Sequence, residues 1–194
     1  MVQIKVDTAA RKNYGNRRKT KDIKYLVIHY TGNDGDSAKG NANYFKTHIV
    51  EASAHYFVDD NGIIQSVPDD FTAYSVGGKK YPSCGKTGGG KFYGKCTNEN
   101  SLNVELCDTR KNGRFDFSER TLDNAADLCR VLLKKYNISV DNIIRHFDVV
   151  GKNCPAPFVS DEKAWQAFQE RIVDEVKYYE EKKDVPKWAQ PMVQ

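Results

Sequence analysis

Four histidines occur in the chain, His29, His48, His55 and His146, and two of them stand where an active centre is commonly built. His29 comes near the end of the apolar run KYLVIHY, just before the loop TGNDGD, and His146 ends the run NIIRH before another irregular stretch. Eight residues after His146 comes Cys154, in the turn Lys152-Asn153-Cys154-Pro155. Two imidazoles and a thiolate make a three-ligand set for zinc. A catalytic zinc site keeps three protein ligands and leaves the fourth position to water, whose pKa then falls toward ~7. Such a site also needs a base. Glu105 is a lone carboxylate inside the apolar segment LNVELC, and a covered strand face rarely carries one without a role. Facing a cleft, it could take a proton from water and pass it to a leaving nitrogen. Lys152, two residues before Cys154, could stabilise charge growing on a carbonyl oxygen. Taken singly, each residue has a plainer reading: His29 as a satisfied or exposed strand-end histidine, Glu105 on a solvent-facing strand surface, Lys152 as a solvated turn lysine, Cys154 as a buried free thiol. The set is not a contiguous motif of the His-Glu-x-x-His kind, so both readings stand on the residues alone.

The elements that must position these groups follow from periodicity. In a strand over Lys24–Tyr30, Leu26, Ile28 and Tyr30 share one face and Tyr25, Val27 and His29 the other. Leu102–Cys107 alternates in the same way, with Asn103, Glu105 and Cys107 opposite Leu102, Val104 and Leu106. Ala54–Asp59 and Ile63–Val67 flank Asp60-Asn61-Gly62, a hairpin signal. Asn142–His146 reads as a short strand ending in a polar turn. Helical spacing appears over Ser37–His48, over Glu119–Tyr136 behind the N-cap candidate Ser118, and over Asp161–Lys182, where Trp165, Phe168, Ile172, Val176 and Tyr179 share a side. The glycine-rich stretch from Gly77 to Gly94 reads as a long loop, a substrate-lining insertion or a mobile cover. It is not a phosphate loop, because no strand feeds a Gly-x-x-x-x-Gly-Lys-Ser/Thr turn and helix. The fold class expected is α/β: a mixed central β-sheet flanked by helices, in a single domain.

Length and composition agree with one domain. The chain has 194 residues, 39% hydrophobic and 29% charged, with a net charge of only +4, a balance that argues against a disordered tail and against a dedicated nucleic-acid binder. No apolar run approaches the roughly 18 residues a membrane helix needs, so no membrane insertion is expected. The first 24 residues carry a local charge of +6, either a solvated, loosely packed lead-in or a basic lip facing a polyanion. Five cysteines are an odd number, unlike a secreted disulfide framework. Cys107 and Cys129 fall on strand and helix packing positions. Cys84 and Cys96 could pair, with reduced thiols as the default.

Four blocks carry a resemblance: YLVIHYTGNDGDSAKGNANYF, ASAHYFVDDNGIIQSVP, NSLNVELC and RHFDVVGKNCP. In this order they resemble the zinc-dependent N-acetylmuramoyl-L-alanine amidase family, which includes phage endolysins, a cytosolic muropeptide-recycling amidase and the peptidoglycan recognition proteins. The resemblance covers roughly residues 20 to 175. It implies a peptidoglycan recognition protein/amidase-like fold and a zinc ion held by His29, His146 and Cys154. It further implies Glu105 as the catalytic carboxylate, Lys152 as the oxyanion lysine, and bacterial peptidoglycan as the partner of a monomeric enzyme.

Cys154 favours catalysis, since the binding-only members of the family commonly lack this ligand. Thr31 and His55 are candidate substrate contacts, against a turn-starting role for Thr31 and a packed structural role for His55. Asp148 either orients the metal site by a hydrogen bond or caps a turn, and His48 reads as a surface or packing residue. The pattern departs from the family in two places: Ala54 stands where one branch has a catalytic tyrosine, and Ala73-Tyr74-Ser75-Val76-Gly77 replaces an Ala-Trp-His-Ala-Gly element.

The implied reaction is hydrolysis of the amide between N-acetylmuramic acid and L-alanine of the stem peptide. A phage or prophage endolysin is the leading context. The opening MVQIKVDTAARKNYG lacks a secretory apolar core, which suits a cytoplasmic chain reaching the wall after holin-type release. The alternatives are a recycling amidase and a non-catalytic peptidoglycan-binding module. Residues 1–183 are expected to form the catalytic domain with its basic lead-in. Residues 184–194, with Trp188, are expected to be a linker or the start of a missing wall-binding region, against an ordinary tail.

Overall fold

A computed structural model describes residues 3–182, with side chains through residue 173. Val176, Tyr179 and the 184–194 segment with Trp188 lie outside the described side chains and residues. Three consecutive residues of no solvent exposure, Leu26, Val27 and Ile28, mark the centre of the sheet, as expected of a parallel strand covered on both faces.

In chain order the elements begin with strand β1 (Ile4–Val6), β2 (Tyr14–Arg17) and β3 (Tyr25–Asp34). Helix α1 (Ala38–Thr47), strands β4 (Tyr56–Asp59), β5 (Gly62–Gln65) and β6 (Phe71–Ala73), and one helical turn, α2 (Cys84–Thr87), follow. Then come β7 (Ser101–Lys111), β8 (Arg114–Asp116), α3 (Glu119–Tyr136), β9 (Ile143–Arg145), α4 (His146–Val150), α5 (Ala156–Ser160) and α6 (Glu162–Lys182). The main sheet runs β1-β5-β4-β7-β3-β9, with β8 returning on β7, and β2 pairs with β6 in a separate ribbon. Pairings of β3 with β7 and β9 are parallel, whereas β4 with β5 and β7 with β8 are antiparallel, so the sheet is mixed as expected.

The alternation read from the sequence decides what covers each face. Leu26, Ile28, Leu102, Val104 and Leu106 pack with Ala125, Ala126, Leu128, Cys129, Leu132 and Leu133 of α3 and with Trp165, Phe168 and Ile172 of α6. Ser118 caps α3 by accepting from the Thr121 amide, and Ser37 caps α1 by accepting from Gly40. On the opposite face α1 sets Ala38, Ala42 and Phe45 against Phe57, Ile64 and Cys107. No described helix is long and apolar enough to cross a membrane. All five cysteines are unpaired thiols.

Three regions differ from the sequence-based reading. The basic lead-in is not loose: β1 joins the sheet edge beside β5, and β2 pairs with β6. Arg18 donates to the carbonyls of Asp69, Asn98, Glu99 and Ser101. Strands of three and four residues are too short for their alternation to be read. His146 does not end a strand but opens α4, because Asp148 accepts from the Arg145 amide and guanidinium and caps that turn. The glycine-rich loop is stitched down along its length, with the amides of Tyr81, Gly90 and Phe92 donating to the carbonyls of Val150, Phe147 and Asp148.

Candidate active site

Register brings the chemistry together. In the parallel pairing of β3 with β7, His29 lies opposite Glu105, on the face turned away from α3 and α6. The chain then delivers His146 from the neighbouring edge strand, since β9 runs beside β3 and α4 starts at its end. Gly151 ends α4 at φ +85°, and a Cβ there would collide with Cys84 Sγ, so only glycine allows the reversal that brings Lys152-Asn153-Cys154 back over the sheet. The amide of Phe147 donates to the Cys154 carbonyl at 2.8 Å and pins this return.

One ligand atom each from His29, His146 and Cys154 lies within 4.8 Å of the others, and all three residues are buried. Cys154 Sγ is 3.8 Å from His29 Nδ1, and the two imidazole rings sit 4.7 Å apart. Burial pushes His29 down to about 4 and His146 to about 2, so both rings are neutral near pH 7, as metal ligation requires. Burial, with the Glu105 charge adding to it, pushes the Cys154 thiol up to about 12. A bound cation would reverse that last preference and hold the thiolate. Among the described residues neither ring nitrogen of His146 has a hydrogen-bond partner, although both are buried. Orphaned buried nitrogens of this kind carry a desolvation cost of about 1–3 kcal/mol, which a metal ion would remove. The donor set therefore fits a tetrahedral ion with one position open.

Glu105 Oε1 stands 3.9 Å from His29 Nδ1, and its other oxygen is buried without a partner among the described residues. Burial raises the carboxyl to about 8, with Lys152 opposing the rise and Asp36 and Asp108 adding to it. Lys152 is exposed, yet its positive charge is felt at His29, Glu105, His146 and Cys154. It stands at the mouth of the cluster.

The remaining predicted contacts are placed differently. The Thr31 hydroxyl donates to Asp108 at 3.1 Å, and the half-buried residue lies two positions past His29 in β3. His55 has no exposed surface. Its Nδ1 accepts from the Asn103 amide, and its Nε2 lies 3.1 Å from the Phe71 carbonyl and 2.9 Å from Arg18 Nη2. That environment is a packed interior one. Asp148 is engaged with Arg145, and His48 is exposed and stacked on Tyr44. Sequence reasoning passed over Asn103, whose Oδ1 lies 3.0 Å from His29 Nε2. Its signal was present in the alternation, which places it two residues from Glu105 on the same face.

These features first define a class, a mixed-sheet α/β domain bearing a His-His-Cys metal-type cluster with a carboxylate on the adjoining strand. Comparison with known proteins then places it: the family model described as N-acetylmuramoyl-L-alanine amidase matches residues 19–157, and the chain belongs to that family. It is 38% identical over 156 residues to a probable N-acetylmuramoyl-L-alanine amidase of Bacillus licheniformis, covering 77% of this chain and 41% of that protein. The chain thus spans about two fifths of that curated relative's length. Among solved structures it is similar to PlyL, with a TM-score of 0.68 at 28% identity over 88% of this chain and 97% of that one. It is likewise similar to the catalytic domain of XlyA, with a TM-score of 0.67 at 27% identity over 88% and 99%.

Proposed function

We propose that this chain is the catalytic module of a zinc-dependent peptidoglycan amidase. It cleaves the bond between N-acetylmuramic acid and the L-alanine of the stem peptide. The single observation that carries the reading is the convergence of His29, His146 and Cys154 beside Glu105 within this family's fold. When bound there, zinc supplies Lewis-acid polarisation of the amide carbonyl and acidifies water at neutral pH. Glu105 accepts the proton of the attacking water. As the C–N bond breaks, it returns that proton to the departing amine. Burial favours the protonated form of Glu105 that the second half needs, and a bound cation would draw it back toward the carboxylate that the first half needs. Lys152, free at the mouth, contributes its ammonium to the oxygen that gains negative charge. Thr31, half-buried and two residues past His29, is read as a contact for a substrate group.

The likeness to an endolysin from Bacillus subtilis, with a TM-score of 0.67 at 27% identity, supports an endolysin-type role, and its substrate is read as intact sacculi rather than soluble recycling intermediates. The test pairs metal analysis with chelation. One zinc per chain, loss of wall lysis on chelator treatment and recovery on adding zinc are expected. Full lysis by metal-free protein would overturn the proposal. Comparable turnover of soluble anhydro-muropeptides, with no action on sacculi, would favour a recycling role instead.

A further inference from the structure

Asn103 is fully buried on β7, and every polar group of its side chain is engaged. The Ser101 hydroxyl donates to the Thr97 carbonyl at 2.7 Å, so its one proton is committed and it offers Asn103 a lone pair. Only the NH2 end of an amide can use a lone pair. Asn103 Nδ2 therefore faces Ser101, at 3.1 Å, and Oδ1 faces His29. A carbonyl oxygen has no proton to give, so the 3.0 Å contact requires His29 to donate from Nε2. A neutral imidazole carries a single N–H. Nδ1 is then a bare lone pair, and Nδ1 is the nitrogen turned toward Cys154 Sγ. The main chain at the same residue acts on a second ring, because the Asn103 amide donates to His55 Nδ1 at 3.1 Å and holds the neighbouring strand in place. Among the described residues nothing restrains His146 in this way. Of the two imidazoles, His29 alone has its proton assigned by the protein.

We propose that Asn103 is a positioning residue: through the Thr97–Ser101–Asn103 hydrogen-bond chain it fixes His29 as the Nε2–H tautomer and keeps Nδ1 open for the metal. The inference rests on the reading of His29 as a ligand. Without the acceptor, the Nε2–H would be buried unpaired, and the ring would gain by moving its proton to Nδ1 and closing the ligand position.

The test uses the full 194-residue chain with 15N-labelled histidine. In metal-free protein, long-range 1H–15N spectra are expected to show His29 as the Nε2–H tautomer, and a dominant Nδ1–H form would overturn the proposal. Zinc affinity, read by competition with a chromophoric chelator, is expected to fall about 10- to 100-fold in Asn103→Leu, which keeps size but not the acceptor. Asn103→Asp, whose carboxylate still accepts from Nε2–H, is expected to bind tighter than Asn103→Leu. Ser101→Ala, which frees the amide to flip, should lie between Asn103→Leu and wild type. Unchanged affinity in a folded Asn103→Leu protein would also overturn the assignment. If that variant does not fold, the wild-type spectrum still decides. Failure of the wild type to bind zinc would strike the metal-site reading, while the tautomer spectrum would remain an independent measure of this inference.

Discussion

Strands β3 and β7 have two unlike faces. Toward α3 and α6 they present Leu26, Ile28, Leu102, Val104 and Leu106, all without solvent exposure in one continuous apolar cluster. The other face carries His29, Asn103 and Glu105, flanked by Val27 and Cys107 in two smaller apolar clusters. The first face is held by burial, which is non-directional and contributes roughly 25 cal/mol for each Å² of apolar surface removed from water. The site residues on the second are held by a handful of directed bonds, and among the described residues Glu105 Oε2 and both His146 nitrogens are buried without partners. Such atoms destabilise the fold. The apolar face therefore does most to fix the geometry in which the site residues stand.

This division can be broken experimentally from either side. The largest effect is expected at Glu105. Glu105→Gln should lower the rate of wall hydrolysis about 100- to 10,000-fold, while bound zinc and the urea midpoint stay at or above wild-type values. A zinc-loaded Glu105→Gln protein hydrolysing at near wild-type rate would remove Glu105 from the mechanism. Next comes Phe168, which stacks on Phe158 behind the sheet. Phe168→Ala should cost about 3–5 kcal/mol in urea unfolding with zinc affinity in native buffer unaltered. A matching loss of affinity would mean that the two faces are not separable.

A third, smaller effect sharpens the comparison, because one directed cluster sits on the apolar side. Buried Asp69 accepts from the hydroxyls of Tyr56 at 2.6 Å and Tyr136 at 2.5 Å and pairs with Lys135 at 3.1 Å. Burial alone would raise this carboxyl, yet those bonds hold it below the ordinary carboxylate value. A depressed native pKa gives stability that is present above the unfolded value of about 4 and is lost as pH falls through the native one. Asp69→Asn should therefore lower stability by about 1–3 kcal/mol at pH 7, with the deficit shrinking as the acid limb is descended. Urea midpoints taken at neutral and acid pH measure this, and a deficit independent of pH would deny the carboxylate its role. The smallest effect is expected at the α1 cap, where Ser37→Ala should cost about 1 kcal/mol and leave hydrolysis unchanged. A fall in rate there would tie α1 to the site.

Much of the site was legible because strand alternation is rigid. LNVELC could place Glu105 on only one of two faces, and YLVIHY could do the same for His29, so their meeting needed only parallel pairing in register. The stripes of α3 and α6 were legible for the corresponding helical reason. What escaped depends on particular side-chain and backbone contacts that periodicity does not report. His146 looked like a strand end because NIIRH is β-favouring, and only the reach of Asp148 back to Arg145 starts a helix there. Arg18 looked like one more solvated cation. Its partners are carbonyls some 50 to 83 positions away, which no local pattern announces. The 77–94 loop has no periodicity to read, and its order comes from backbone bonds to α4. Asn103 was visible as a residue but not as a function, since its role rests on where three neighbouring protons go.

If the His29–His146–Cys154 cluster with Glu105 hydrolyses the amide of peptidoglycan, as proposed, its products reveal it. Mass spectrometry of purified walls digested with zinc-loaded protein, and again with chelator present, measures it most directly. The prediction is stem peptides bearing new N-terminal L-alanine, intact glycan strands without new reducing ends, and neither product after chelation or with Glu105→Gln. Wall binding without release of an amine, or release of reducing sugars, would contradict it.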